Sequence, residues 1–509
     1  MASTTFVDRR TPIMADWLND VNTNVYDLFA NVKQYGAVGN GATDDTDAFE
    51  NAIAANAGKT IFIPPGTYKL TRTINMASPG TCLYGESQTS TVLSIDQTTG
   101  PGISISQPYC QLIGLNIKAS TTRANYTTST TYALATGLFG VQIYNSTGFM
   151  TQTRLERVWS INHPNNGFYM GGEGADSMFI NCAAYSNRGH GFYFDGRTLL
   201  GGTTSRCGLV SIIHCRATEN GGNAVNADDV TAPCYRMWFH NFETINNAWN
   251  TSISGLINAE FKFGGENQHL TQCAFSDRLG DTYTTTQQGM SRIAKTTLST
   301  GVYIGNNSRG ITMTQNRFIS TRRGVETHAN PTGLHLYVRG AYFSQQQLGS
   351  GYFDQQYGFN IGTGHKCLDI EVEDSMPVDY MVYTPDTGGR AKIGDIDGLV
   401  YGNSTGSIFK RNGYNDATIA SNSVNAQSTY VNLLAPGATT LVEIVFAGSS
   451  NPLPAGEVLH FYNASGYTIT LQHGTSAGYI RTKSGSNVTV ATGRSFSIMT
   501  DPSGNPYEI

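Results

Sequence analysis

The sequence predicts an all-β fold in which short strands stack as the coils of a parallel β-helix. Charged residues make up only 14% of the 509 residues, and 57 glycines accompany many neutral polar side chains; an average domain is roughly 25% charged. Four central segments repeat at intervals of 33, 26 and 32 residues, marked by Cys182, Cys215, Asn241 and Cys273. One coil of a wide parallel β-helix is about this long, and its coils stack ~4.8 Å apart.

Composition excludes several classes of function. A net charge of −5 gives no basic surface for nucleic acid or for an anionic membrane. No apolar run approaches the length of a membrane span, and the first residues lack the apolar core of a secretion signal. The eight cysteines form no C-x-x-C pair and the histidines lack metal-ligand spacing. We therefore expect buried free thiols, no catalytic metal, no cofactor, and synthesis in a cytoplasm without a signal peptide.

The N-terminal part predicts two helices and the first strands. Residues 14–30 carry apolar side chains at helical spacing, which indicates a short amphipathic helix. After a strand and a glycine turn, Asp44, Asp45 and Asp47 open a second helix that runs to Ala57. Acidic residues suit the positive end of a helix, so capping is favoured over a calcium site. The apolar run 60–63 predicts a buried strand.

Alternation within the central strands assigns their two faces. In one strand of each coil, Ile180 and Cys182 point inward, and the predicted outward column comprises Asn181, His214, His240 and Gln272. In a second strand the phenylalanines point inward, and the predicted outward column comprises Tyr169, Tyr193, Asn226 and Lys262.

The C-terminal part differs from the coils in its composition and in its pattern of strands. From about residue 385 the sequence becomes glycine-rich and irregular, which predicts the end of the coil and a linker at 401–424. Residues 425–509 contain short strands between turns, which favours a small β-sandwich.

Three segments resemble known families. The run YGAVGNGATDDTDAFENAIA, followed by KTIFIPPGTYKL, resembles the opening of the pectate-lyase-like superfamily. The segment from FYNASGYTITL to the end resembles the C-terminal domains of phage tailspikes and capsule depolymerases, and TPIMADWLNDVN looks like the junction before their β-helix. The resemblance implies a right-handed parallel β-helix over 32–400, a homotrimer, and attachment to other phage tail proteins through residues 1–31. It also implies a location in the virion tail. The pectate-lyase-like segment alone identifies a fold and not a reaction.

The resemblance further implies binding and cleavage of a bacterial capsular or O-antigen polysaccharide. Sugars offer CH faces and hydroxyls, so aromatic and polar side chains on the outer surface are the candidates. The predicted substrate-binding residues are Tyr169, Tyr193, His214, Arg216, Trp238, His240 and Lys262.

Hydrolysis of a glycosidic bond needs two carboxylates, one protonated and one ionised. Asp195 and Asp228 are 33 residues apart, or one coil, and stacking would place them about 5 Å apart, as in retaining enzymes. Glu219 is the third candidate. The alternative is β-elimination on a uronic-acid polymer, in which Tyr193, His214, Arg216, His240 and Lys262 would act. A non-enzymatic adhesin and a purely structural tail protein also stay open.

Overall fold

The computed structural model describes the chain from residue 30 onward, with gaps. The described ranges are 30–124, 134–145, 150–172, 174–196, 207–227, 234–250, 253, 256–277, 299–305, 308–328, 334–344, 357–362, 367–372, 380–384, 390–394, 400–402, 407–426, 428–446, 458–474, 479–500 and 506–509. The helix expected at 14–30 therefore lies outside the described residues.

Each complete coil contributes three strands to two parallel sheets. A leading strand and a trailing strand lie in the first sheet, and the third strand lies in the second sheet. In the central coils two residues separate the leading from the trailing strand, and the first of them forms a bend. In three coils the leading and trailing strands are continuous: Gln111–Ala119, Arg154–Ile161 and His335–Ser344.

The remaining strands of the coils occupy the same three positions. The other leading strands are Ala30–Asn31, Thr60–Ile63, Cys82–Gly85, Ser177–Ile180, Gly208–Ile213, Tyr235–His240, His269–Thr271, Ile311–Thr314, Cys367–Val372 and Arg390–Gly394. The other trailing strands are Asn40–Asp44, Gly66–Leu70, Thr91–Ile95, Ala183–Tyr185, Arg216–Thr218, Glu243–Ile245, Ala274–Ser276 and Arg317–Ile319. The second sheet contains Ile74–Met76, Ile103–Ile105, Val141–Ile143, Phe168–Gly171, Phe192–Asp195, Val225–Ala227, Ala259–Phe263, Thr300–Ile304, Arg323–Thr327, Tyr357–Asn360, Tyr380–Thr384 and Val400–Gly402. A small extra pair joins Met150–Thr151 to Gly174–Ala175.

The bend between leading and trailing strands is made by one residue in the left-handed region. Arg157, Asn181, His214, Asn241 and Gln272 all have φ between 50° and 55° in this column. Each bend is held by the next coil; the Asn181 amide, for example, donates to the Ile213 carbonyl. Asparagine tolerates this conformation better than most residues, which suits it to the column.

The second-sheet strands begin at a column of small residues because the coils approach closely there. A Cβ added to Gly167 or Gly191 would lie 2.9 or 2.7 Å from a carbonyl oxygen of the next coil. Gly301 and Gly324 repeat this arrangement three and four coils after Gly191. The recurring pattern of a small residue, an apolar residue, an outward residue and an apolar residue therefore marks each second-sheet strand.

The interior is filled by aromatic and aliphatic side chains. Phe275, Phe318 and Phe343 stack from coil to coil with ring centroids 5.1 and 5.0 Å apart. Seven cysteines are buried and free, as expected: Cys82, Cys110, Cys182, Cys207, Cys215, Cys234 and Cys273.

A buried asparagine ladder joins the central coils beside this core. The Asn187 side chain donates to Asn220 Oδ1 at 2.9 Å, and the Asn220 side chain donates to Asn247 Oδ1 at 2.8 Å. The ladder ends on Glu260, whose carboxylate accepts from the Asn247 side chain at 2.7 Å. All four side chains are buried, so each hydrogen bond is made where no water competes.

Helix α1, Thr46–Ala55, packs at the N-terminal end, next to a short 3₁₀ helix at Val32–Tyr35. Phe49 contacts Tyr68 with ring centroids 5.4 Å apart. Asp44 accepts from the Thr46 amide at the helix start, whereas Asp45 accepts from the Val38 and Gly39 amides instead of capping the helix. A second short helix is Thr121–Ala124. No helix in the described ranges is long and apolar enough to cross a bilayer.

The C-terminal part has a separate core of sixteen buried residues that includes Leu433, Phe461 and Ile498. Strand Ser407–Thr418 lies in the segment expected to be a linker, and it pairs in parallel with Arg390–Gly394 and Ser428–Leu434. The other C-terminal strands are Ser423–Ala426, Thr439–Leu441, Glu443–Phe446, Val458–Asn463, Ile469–Leu471, Val488–Val490, Ser495–Thr500 and Pro506–Glu508. The first sheet thus continues into the C-terminal part through parallel and antiparallel pairs, and two small sheets accompany it there.

Candidate functional site

The second sheet carries a ladder of outward side chains, one from each coil. The strand register aligns Tyr169 with Tyr193, Tyr193 with Asn226, and Asn226 with Lys262, so the placement of these four residues is as expected. The tyrosine rings lie 5.6 Å apart, and Phe139 stacks on Tyr169 at 4.5 Å. The ladder therefore offers aromatic and cationic groups from coils ~4.8 Å apart. Asn226, between Tyr193 and Lys262, is buried, and its Nδ2 lies 3.2 Å from His190 Nε2.

Two further members of the ladder lie beyond the region that the sequence singled out. Tyr303 is aligned with Lys262, and Glu326 is aligned with Tyr303. The Glu326 carboxylate is held by Arg323 and accepts from Thr300 Oγ1 at 2.8 Å. The small-apolar-outward-apolar pattern in residues 301–304 and 324–327 could have revealed both residues.

Asp195 lies at the end of its second-sheet strand and is fully buried. Its Oδ2 accepts a hydrogen bond of 2.9 Å from the Tyr169 hydroxyl. Gly171 makes this approach possible, because a Cβ there would lie 2.6 Å from the Tyr169 hydroxyl. Asp228, the predicted partner of Asp195, lies outside the described residues. The pairing of Tyr193 with Asn226 nevertheless has the 33-residue offset on which that prediction depends.

Glu219 occupies a second bend, between the trailing strand and the second sheet. Ser186, Glu219 and Asn246 form a column there, with φ of 51°, 58° and 55°. The Glu219 amide donates to the Ile245 carbonyl, and its carbonyl accepts from Trp249 Nε1 at 2.8 Å. Glu219 thus precedes a second-sheet strand, whereas Asp195 ends one, and the structure does not bring them together.

The other predicted binding residues lie on the first sheet. Trp238 is 39% exposed and stacks on His269 at 6.1 Å. Arg216 forms an ion pair with Glu243, and although partial burial lowers the pKa of its guanidinium, that carboxylate raises it overall. The seven predicted binding residues are therefore divided between two faces.

Two assignments in the first sheet were wrong. Ile180, expected to point inward, is half-buried and aligned with Ile213, whereas its neighbour Phe179 is the buried residue, because the bend at Asn181 interrupts the alternation. The second error concerns His240. His240 is aligned with Ile213, so His214 is aligned with Asn241 instead. The core position equivalent to Cys215 is Phe242, because the Glu243 amide donates to the Cys215 carbonyl. An error of one residue in the repeat moved His240 into the wrong column, although its ring lies 5.8 Å from that of His214.

Two buried histidines contribute to the interior rather than to a surface site. His163 contacts the Ile117 carbonyl through Nε2 at 3.1 Å, and burial, with the nearby Arg123 charge, lowers its pKa to about 3. His190 accepts from the Asn223 amide, and burial likewise lowers its pKa to about 3. Within the described ranges, no group of three or more His, Cys, Asp or Glu side chains could hold a metal ion.

Comparison with known proteins shows which families and proteins this chain is similar to. Residues 29–191 match a family model described as rhamnogalacturonase A/epimerase, pectate lyase-like. The preneck appendage protein of Bacillus phage PZA is 35% identical over 91 residues, which are 18% of this chain and 10% of that protein. A glucan 1,3-beta-glucosidase of Cochliobolus carbonum is 36% identical over 80 residues, 11% of this chain and 10% of that protein. The chain thus spans about a tenth of these curated relatives.

A solved structure is similar in fold at low identity. The enzymatically active domain of tailspike protein 2 from bacteriophage CBA120 aligns with a TM-score of 0.51 and 11% identity, covering 92% of this chain and 59% of that chain. The family match over residues 29–191 and the stacked parallel strands show that this part of the chain resembles the pectate-lyase-like β-helices.

Proposed function

We propose that this protein is a bacteriophage tail protein that binds and cleaves a capsular or O-antigen polysaccharide of its host. The second-sheet ladder carries the proposal. Tyr193, Asn226, Lys262, Tyr303 and Glu326 follow one another along the coil axis. A sugar chain along that axis would meet aromatic and charged groups from successive coils, with the buried Asn226 between Tyr193 and Lys262. Such a mixture of apolar and polar contacts binds small polar ligands.

The relatives support both the setting and the chemistry. Appendage proteins of two Bacillus phages are 35% identical to this chain over 91 residues, and a glucan 1,3-beta-glucosidase is 36% identical over 80 residues. The CBA120 domain with the same fold is described as enzymatically active. We accordingly place the protein in the virion tail, acting at the host cell surface, as a homotrimer attached to other tail proteins through its N-terminal part.

For the cleavage step we favour hydrolysis by Asp195 and Asp228, with Glu219 as a third candidate. A pair one coil apart has the spacing of a retaining glycosidase. Asp195 is buried, but the Tyr169 hydroxyl lies 2.9 Å from it on the outer face. Tyr169 can therefore pass a proton between the carboxylate and a bound sugar.

The alternative is β-elimination, which one feature of the ladder favours. Tyr303 lies between Lys262 and Glu326, so a phenolic base and a cation for a uronate carboxylate are neighbours. A glycan-binding adhesin on the same ladder is the non-enzymatic alternative.

Incubation of the purified protein with capsule and O-antigen preparations tests the proposal. We expect the polymer to shorten, with new reducing ends for hydrolysis or an ultraviolet-absorbing unsaturated uronate for elimination. Tyr193→Ala should slow cleavage roughly tenfold, since an aromatic contact contributes about 1.4 kcal/mol. Tyr84→Ala, which removes an exposed tyrosine of the first sheet, is the matched control. A polymer that is bound but keeps its length would favour the adhesin, and one that is not bound would contradict the proposal.

A further inference from the structure

A groove of about 770 Å³ follows the bend column of the first sheet, on a different face from the second-sheet ladder. Gln272, Gln315 and Gly340 line it from the bend, and Ala274, Arg317 and Tyr342 line it from the trailing strands. The alignment of Ala274 with Arg317, and of Arg317 with Tyr342, places these three side chains one above another.

The shape of the groove follows from where the small side chains lie. Ala274 and Gly340 leave space beside the longer Arg317 and Tyr342 side chains. The side-chain amide of Gln272 donates from Nε2 to Gln315 Oε1 at 3.1 Å. This hydrogen bond orients both side-chain amides. It leaves the side-chain oxygen of Gln272 and the side-chain NH₂ group of Gln315 available to a ligand.

Arg317 differs from Arg216 and Arg339 in having no carboxylate partner in the part of the chain that the structure describes. Arg216, in the same column, pairs with Glu243, and Arg339 pairs with Asp369 at 2.7 Å. Among the described residues, no carboxylate lies within ion-pair distance of the exposed Arg317 side chain. The groove therefore presents one uncompensated cation between neutral amides and a tyrosine that is 36% exposed.

We propose that this groove is a second glycan-binding site, specific for a sugar that carries a carboxylate. The guanidinium of Arg317 would bind the carboxylate in a two-pronged arrangement, which its planar donors favour. The Tyr342 ring would contact the sugar's CH face, and the amides of Gln272 and Gln315 would bind its hydroxyls. The proposal rests on the proposed function, because it takes the ligand to be a host glycan. Its site, however, lies apart from the ladder, so binding here and cleavage there are separable.

The test is a bacterial glycan array that pairs acidic polysaccharides with their carboxyl-reduced forms, probed with the full-length protein. We expect binding to acidic members that is lost on carboxyl reduction. Arg317→Gln should weaken it roughly tenfold to a hundredfold, as loss of a hydrogen bond to a charged group implies. Arg317→Lys should restore part of the affinity, because the charge returns without the planar fork. Arg494→Gln, in the C-terminal part, is the control and should bind as wild type does.

Each outcome is decisive. Equal binding of acidic and reduced forms, or full binding by Arg317→Gln, would overturn the second site while leaving the proposed function intact if polymer is still cleaved. Binding of no glycan, together with absence of cleavage, would overturn both.

Discussion

Truncation of Asn220 should destabilise the central coils more than any surface change. The Asn220 side chain is fully buried and makes four hydrogen bonds. Its Oδ1 accepts from the Asn187 amide at 3.1 Å and from the Asn187 side chain at 2.9 Å. Its Nδ2 donates to the Ala184 carbonyl at 3.0 Å and to Asn247 at 2.8 Å.

Asn220→Ala removes all four hydrogen bonds and leaves their partners in a site that water does not reach. A net contribution of roughly 1 kcal/mol for each bond predicts a fall of about 3–5 kcal/mol in the free energy of unfolding. Part of this loss is the cost of leaving the Asn187 donors unsatisfied.

Denaturant unfolding followed by circular dichroism measures the effect. Asn75→Ala is the matched control, because Asn75 is exposed on a second-sheet strand and should change the free energy by no more than about 0.5 kcal/mol. Equal unfolding midpoints for the two variants would refute the reasoning, since the ladder would then contribute no more than a surface amide.

Three further predictions concern single contacts. His163 is neutral in the folded protein, whereas in the unfolded chain it binds a proton below pH 6.5. The free energy of unfolding should therefore fall as the pH drops from 6.5 towards 3. His163→Gln should reduce this pH dependence in thermal melts. Gly191→Ala should lower the free energy of unfolding by about 1–3 kcal/mol, because the new Cβ would lie 2.7 Å from the Ala224 carbonyl oxygen. Tyr169→Phe should lower it by about 1.5–3 kcal/mol in denaturant titrations, since the buried Asp195 carboxylate loses a hydroxyl donor.

Comparison variants make these predictions decisive. His335→Gln changes an exposed histidine and should leave the pH dependence intact; an unchanged slope for His163→Gln would show that His163 does not contribute to it. Gly437→Ala meets no atom within 4 Å and should be neutral. If the Gly191 variant is equally neutral, the coils do not approach there as closely as described. An unchanged midpoint for Tyr169→Phe would mean that its hydroxyl adds no stability.

The sequence by itself determined the coil and the outward column of its second sheet. Apolar alternation and the interval between Cys182 and Cys215 predict stacked strands, because a side chain in a β-strand must point to one face or the other. The same rule placed Tyr169, Tyr193, Asn226 and Lys262 in one outward column, which the strand register confirms.

Only the tertiary structure decided how the faces and coils combine. His240 was assigned to the wrong column because a shift of one residue is invisible in a loose repeat but reverses a face. The burial of Asp195, the bend geometry at Glu219 and the separation of Trp238 from the tyrosine ladder depend on where the chain turns between strands. The uncompensated charge of Arg317 likewise emerges only when coils about forty residues apart in sequence lie one ~4.8 Å step apart in space.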